Sequence, residues 1–496
     1  MTLLNLKAQS PELRTDPWPR GVNYQIFVRS FSDGDKDGLG DLKGITAKLD
    51  YLKELGVNGI WITPVNKSPS YHKYDITDYL SIDPECGSME DLKNLTKEVH
   101  KRGMHILMDL VVNHTSKLHP WFLSAAADTA SPHRDYYLWS AAKKVAGSQN
   151  WWPLKENNKP NTQLYFGHFG SNMPDLNYDN VKVRQEIIKI GQYWIQETGI
   201  DGYRLDAAQH IYPDDAHDKS RKWWQEFRAA MEKQNKNFFM VGEVWNVDAI
   251  VAPYLKDGLH SVFNFDLAGT ILKVVKNESD DSLVLKHQRT MALYNAMNPG
   301  YVDATFLSNH DQNRSGSELH ENPEKIKLAA AILLTLPGTP YIYYGEELGM
   351  KGFRPDEYVR EPFLWDDASK DINRTKWIQP KYNTDKKTAS LKAQKSDSNS
   401  IFNHYKTLIS LRNSNMILQL GTLAPIVFKT PGLLGYSRTL NGRTVYIVHN
   451  LTAKNVTFDL DILGLKTIDV LFENSKIKAT AVTNKIVGAN SSLIFQ

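Results

Sequence analysis

Eight short apolar runs recur along the first four-fifths of the chain, at 22–29, 57–64, 104–112, 202–207, 238–245, 260–267, 303–309 and 340–346. Between them lie amphipathic stretches. In one, Leu42, Ile45, Leu49, Leu52 and Leu55 fall three and four residues apart and stop at Gly56, where a helix end is expected. Similar stripes occupy 88–102, 181–198, 219–234, 323–336 and 401–413. Strands alternating with helices predict an α/β protein with a parallel sheet covered by helices. Eight such units with right-handed crossovers close into a (β/α)8 TIM barrel, whose active site lies at the C-terminal ends of the strands.

Two regions break the rhythm. Residues 114–179 are rich in Asn, Ser, Trp and Gly, show no sustained period and are too long for an ordinary loop. They are expected to form an inserted subdomain over the barrel mouth after strand three, with Trp121, Trp139, Trp151, Trp152, Tyr165 and Phe166 mostly packing its core. From about 420 the helical signal ends, and runs such as Thr444–Val448 and Ile468–Phe472 predict a C-terminal antiparallel β-sandwich over 420–496. The barrel then takes 1–113 and 180–419, with the charged piece 384–400 as an exposed loop.

Composition narrows the partners. Fifty-nine basic against 56 acidic residues leaves a net charge of +3, too little field to argue for nucleic acid or an anionic membrane. Leu328–Tyr344 approaches the length of a membrane span, but Pro337 and Pro340 divide it into a buried helix, a turn and a buried strand. Thr2–Leu6 is too short for a secretory core, so the chain carries no readable address, and a periplasmic or secreted location would require a leader already removed. With one cysteine, Cys86, neither an internal disulfide nor a Cys-rich metal site is available.

Asp206, Glu243 and Asp311 each fall at or just beyond the C-terminal end of a predicted strand. One acid there would be an ordinary cap, but three at equivalent barrel positions point to chemistry. Arg204, two residues before Asp206, shares its face of the strand and can hold it ionised. His310 beside Asp311, and Asn113-His114 after Asp109, supply partners for sugar hydroxyls. Opposed carboxylates with aromatic platforms suit glycoside hydrolysis.

Five ordered segments carry a resemblance: Asp109–His114, Gly202–His210, Val241–Val244, Phe306–Asp311 and Met173–Asn177. The chain resembles the α-amylase family of glycoside hydrolases from about residue 21 to its end, and the fifth segment is similar to that of the group intermediate between true α-amylases and oligo-1,6-glucosidases. The resemblance implies a retaining enzyme acting on α-1,4-linked glucans or malto-oligosaccharides. Asp206 would be the nucleophile, Glu243 the general acid/base and Asp311 the transition-state stabiliser. It places His114, Arg204 and His310 around the sugar at the scissile bond, with Tyr74 stacking on it. His72 and Tyr74 match a family motif that usually has Gly where Lys73 stands, so Lys73 is expected to narrow a subsite. Arg360 resembles a loop arginine near the leaving sugar, with a plain surface arginine as the alternative. Gln209 stands where polymer-cleaving members often carry Lys, which weakens the case for a long-chain acceptor subsite. A first strand near residue 22 leaves no space for the extra N-terminal domain of cyclomaltodextrinase-like enzymes. An α-glucosidase or transglycosylase, and a barrel that has lost its chemistry, are the competing readings; the survival of all three acids argues against the last.

Asp33, Asp35, Asp37 and Asp41 alternate around Gly38, a spacing suited to calcium, although Gly44 at the twelfth position excludes an EF-hand. The resemblance implies a calcium site formed by these four side chains and the Leu39 carbonyl. It implies a second from Asn113, Asp175 and the His210 backbone.

Overall fold

The structure, a computed structural model, describes residues 18–141, 149–156, 159–213, 216–475 and 484–496. Thr2–Leu6, the segment considered for a leader, lies outside them. Eight parallel strands close the barrel: β1 (Asn23–Ile26), β2 (Gly59–Ile62), β3 (His105–Leu110), β4 (Gly202–Leu205), β5 (Phe239–Gly242), β6 (Ser261–Phe263), β7 (Val302–Phe306) and β8 (Thr339–Tyr343). Each neighbours the next in sequence, and β8 pairs with β1 to complete the ring. Every predicted run carries one of them.

Strand periodicity sorts the core. Trp61, Leu107, Phe239, Val241, Phe263, Ala304, Phe306 and Tyr341 form one buried cluster, with Trp18 packed against it. Their sequence neighbours Ile60, Ile62, Ile106, Met108, Met240, Val262 and Ile342 belong to a second cluster shared with the helices. Alternate side chains therefore fill the barrel and face its helical coat, and burying each is worth roughly 1.5–3 kcal/mol.

The first helical stripe divides at Lys48 into α1 (Leu42–Ala47) and α2 (Leu49–Leu55). Gly56 ends α2 at φ +95°, where a β-carbon would lie 2.8 Å from Ile409. Further crossovers include α3 (Met89–Lys101), α4 (Val181–Thr198), α5 (His217–Glu232), α6 (Phe265–Asn277), α7 (Leu283–Met297) and α8 (Pro323–Thr335). Helix α8 stops before Pro337 and β8 starts at Thr339, as the prolines require. Among the described residues no helix is long and apolar enough to cross a membrane.

Between β3 and β4, a helix at Pro120–Ala127 faces an antiparallel sheet of Trp139–Ala141, Lys159–Phe166 and Trp151–Glu156. Phe122 packs edge-on against Tyr137 and Tyr165 and is stacked with Trp139, while Trp121 meets Tyr136. These aromatics thus serve mainly as the core of the segment.

The piece 384–400 is not simply an exposed loop. Ser390 caps α9 (Leu391–Ser396), whose Leu391 and Gln394 are buried. Lys392, Lys395 and Ser396 face water, and the abundance of such residues hid a two-residue inner face.

After α10 (Ile401–Ser414), strands β9 (Thr422–Ile426), β10 (Leu433–Leu440), β11 (Arg443–Asn450), β15 (Ser491–Phe495) and β13 (Val470–Glu473) form an antiparallel sheet in that order. One face packs with β12 (Val456–Asp459) and β14 (Asn484–Val487) through Val448, Phe458, Val487, Leu493 and Phe495. The other presents Leu434, Tyr436, Val445, Ile447 and Ile494 to the barrel's core. Two buried arginines secure that junction. Arg412 donates to the carbonyls of Leu334, Leu336 and Gly338, and Arg438 to those of Thr335 and Gly421, satisfying the end of α8.

Candidate active site

Barrel closure brings the predicted acids together at the C-terminal rim. Asp109 on β3 lies in register with Arg204 on β4, so both side chains point inward at one level. The ladder continues past the strand ends, with Asp206 N–H bonded to Leu110 O at 3.2 Å and Glu243 N–H to Leu205 O at 3.0 Å. These acids are therefore held by the barrel frame itself.

Arg204, fully buried, is the hub. Its Nη1 donates to both Asp109 oxygens at 2.9 and 3.1 Å and to Asp206 Oδ1 at 2.6 Å, and its Nη2 donates to Glu243 Oε2. One guanidinium cannot neutralise three buried carboxylates. Burial, followed by repulsion from Asp206 and Asp311, lifts Glu243 to about 7 against the pull of Arg204. Burial likewise raises Asp109 to about 7.

Asp311 is shifted the other way. Burial opposes its ionisation, but the Nε2–H of His310 and the charges of Arg360 and Arg204 outweigh it and hold the carboxyl below its usual range. Arg360 Nη2 donates to Asp311 Oδ1 at 2.7 Å and to Asp356 at 3.1 Å, and its Nε donates to the His310 carbonyl. Arg360 is 3% exposed, which removes the surface-arginine alternative.

His310 is driven down to about 3, chiefly by burial, and is neutral at physiological pH. With Gln25 donating to its Nδ1 at 2.7 Å, its proton sits on Nε2, 2.6 Å from Tyr74 Oη and 3.1 Å from Asp311 Oδ2. Tyr74 Oη then donates to Asp109 at 2.9 Å, as Trp61 Nε1 does at 3.1 Å. The rings of Tyr74 and His310 lie parallel, 5.3 Å apart.

A cleft of about 540 Å³ opens above these groups, lined by His72, Tyr74, His114, Asp206, Glu243, Asp311 and Arg360 among the expected residues. Phe169, Met173, Trp245, Arg354 and Asp356 also line it and were not anticipated. Phe169 and Trp245 are 47% and 52% exposed, and Trp245 stacks on Phe265 at 4.5 Å. Large aromatics immediately beside two motifs were the available signal. Asp109 opens one of the motifs and is the penultimate residue of an apolar strand, which is the signal that marks it. Gln209 lies in the cleft wall, donating to the Trp245 carbonyl and accepting from Asn246.

Lys73 does not narrow the cleft. It adopts φ +65°, turns inward, and its Nζ binds Asp83 at 2.9 Å and Glu85 at 2.7 Å. A side chain leaving a left-handed turn projects away from the neighbours that line the cleft.

Asp33, Asp35 and Asp37 can each place an oxygen within 4.8 Å of the others. Asp41 stands outside this group; its carboxylate accepts from Gly34, Asp35 and Gly44 N–H and caps α1, while Leu39 donates its N–H to Asp37. Elsewhere Asn113 Nδ2 lies 2.5 Å from the His210 carbonyl and 3.4 Å from Asp175, so these three residues do converge.

A family profile described as "Alpha amylase, catalytic domain" matches residues 25–421. The chain belongs to the α-amylase family. It is 42% identical over 481 residues to Alpha-amylase 3 of Dictyoglomus thermophilum, covering 97% of this chain and 94% of that protein. It is 34% identical over 450 residues to a 4-alpha-glucanotransferase of Thermotoga neapolitana, covering 88% and 97%. Among solved structures it resembles the α-amylase from H. orenii, with a TM-score of 0.87, 38% identity and coverage of 96% and 99%. The α-amylase-family fold and its glycoside hydrolase class therefore apply to this chain.

Proposed function

We propose that this α-amylase-family enzyme is a retaining glycosidase acting on α-1,4-linked glucans or malto-oligosaccharides. The observation that carries the reading is one guanidinium bonded to both Asp206 and Glu243 beneath an open cleft. Asp206, ion-paired to Arg204, attacks the anomeric carbon. Glu243, raised to about 7, gives its proton to the departing glycosidic oxygen. Asp311, kept ionised beside Arg360, stabilises the positive charge on the ring between these events. Water then loses a proton to Glu243 and attacks the glycosyl–Asp206 ester, restoring both groups. His72, Tyr74, His114 and Arg360 line the cleft and orient the donor sugar, while Arg204 and His310, buried beneath it, hold Asp206, Glu243 and Tyr74 in place.

Transfer to a second sugar is a supported variant. Trp245 presents an exposed ring on the Glu243 side of the cleft, where an acceptor would stack. The Met173–Asn177 segment supports membership of the intermediate group.

Calcium fits two places. Asp33, Asp35 and Asp37 offer converging oxygens, with Leu39 in the same loop and Asp41 bracing it. The second place rests on a proton count. His114, kept neutral chiefly by burial, bonds the Tyr74 carbonyl through Nε2, so that nitrogen must donate and Nδ1 must accept. Nδ1 faces Asn113 Oδ1, two acceptors together at 3.1 Å. Turning the Asn113 amide over satisfies His114 and directs three oxygens, from Asn113, Asp175 and His210, at one point, an arrangement that suits a cation. Calcium there would tie the insertion to the barrel.

Chromatography of products from starch, pullulan, cyclodextrin, maltotriose and isomaltose tests the substrate class. Proton NMR of the first product should show the α anomer; a β anomer would overturn the retaining mechanism.

A further inference from the structure

Lys73 occupies a backbone conformation that suits glycine and carries a long charged side chain that is nevertheless buried. Both features need an explanation, because a lysine in that place combines a strained turn with desolvation of its ammonium. Its three contacts supply one. Nζ binds Asp83, which is 5% exposed, and Glu85, and approaches the Ser68 carbonyl at 3.4 Å. Glu85 is in turn held by Arg29 at 2.7 Å.

The turn tied down in this way carries His72. Lys73 N–H donates to Ser70 Oγ, and the Ser70 and Ser68 hydroxyls donate to Asp75. Tyr74 N–H donates to His72 Nδ1 at 3.1 Å, so the imidazole proton resides on Nε2. No described residue bonds Nε2, and His72 lines the cleft. Tyr74 has independent moorings through Asp109 and His310, whereas among the described residues His72 has no hydrogen bond beyond the turn itself.

We propose that Lys73 is a positioning residue: its buried bridge to Asp83 and Glu85 fixes the left-handed turn so that His72 offers Nε2–H to a hydroxyl of the donor sugar. The inference rests on the reading of this cleft as the glucan site. Lys73→Gly keeps the turn's backbone accessible and removes only the bridge, so it isolates the effect.

The experiment is a double-mutant cycle on KM and kcat for maltotriose, using wild type, Lys73→Gly, His72→Ala and the pair, with melting temperature measured throughout. Losing one well-placed sugar hydrogen bond should cost about tenfold in kcat/KM, so Lys73→Gly and His72→Ala should each show about that loss, and Lys73→Gly should add less than about twofold once His72 is gone. Glu85→Gln, altered at the solvent side of the bridge, should give about a two- to threefold loss that also vanishes without His72, and it answers the question if Lys73→Gly does not fold. A lowered melting temperature with unchanged kinetic constants, or an undiminished loss in the His72→Ala background, would overturn the role of Lys73 alone. Wild-type kinetics in His72→Ala would overturn the placement of the donor sugar, and the lysine's role with it.

Discussion

Two groups of acids lie at the same end of the barrel and are held by opposite means. Asp109, Asp206 and Glu243 crowd around one buried guanidinium, competing for a single positive charge. Asp33 and Asp41 in the loop after β1 are satisfied by backbone N–H groups, and Asp35 and Asp37 stand in water. Residue type and density are alike; the surroundings are not. Desolvation with too little counter-charge makes Asp109 and Glu243 retain protons near neutrality, which a catalyst can use. Backbone amides and water leave oxygens free to gather a cation, which suits stability.

The largest expected separation between the two groups is in turnover. Asp206→Asn should lower kcat on malto-oligosaccharides by about 10⁴-fold or more with the fold intact by circular dichroism, whereas Asp35→Asn should stay within about twofold at 25 °C. Equal losses would erase the distinction.

Next in size is Glu243→Gln. It should slow substrates with poor leaving groups by about 10²–10⁴-fold and activated aryl glycosides far less, because only the former need the proton. Uniform loss across leaving groups would take that role from Glu243.

The pH profile is a smaller effect of the same crowding. Catalysis needs Glu243 protonated, and burial with Asp206 and Asp311 nearby lifts it to about 7. Turnover per KM should therefore hold below that pH and fall about tenfold per unit above it. A profile flat to pH 9 would show that the proton comes from elsewhere.

For the loop, the expected readout is the melting curve. Calcium should raise the melting temperature, EDTA should lower it, and Asp35→Ala should remove part of the response. Asp41→Ala should cost about 1 kcal/mol even in EDTA, because it caps α1 and braces the loop without the ion. Curves indifferent to chelator and metal would reduce the loop to a solvated turn.

Much of the barrel was legible because its strands are buried on both sides and read as unbroken apolar runs. Periodicity could not show that the stripe from Leu42 to Leu55 divides at Lys48, since both halves keep their apolar face. Composition misled at 384–400, where Leu391 and Gln394 alone carry the inner face of α9. At the site, strand-end position singled out Asp206, Glu243 and Asp311. It could not reveal that Asp109 shares the arginine of Asp206 and Glu243, because that depends on β3–β4 register. Nor could it give the direction of Lys73, which follows from a dihedral angle, or the burial of Arg360, which follows from a contact 49 residues away.

The arginines at the end of α8 bear on how the molecule comes apart. Arg438 belongs to the C-terminal sheet, Arg412 to the last barrel helix, and both spend their donors on carbonyls around the α8–β8 turn. Stripping away the sheet would take the Arg438 donor from the Thr335 carbonyl and lay bare the apolar face that Tyr436, Val445 and Ile447 now cover. Barrel and sheet should therefore melt in a single calorimetric peak. A chain shortened after residue 421 should be recovered as aggregate, so that the C-terminal layer acts as a lid on the barrel's flank, indispensable although it contributes nothing to the cleft.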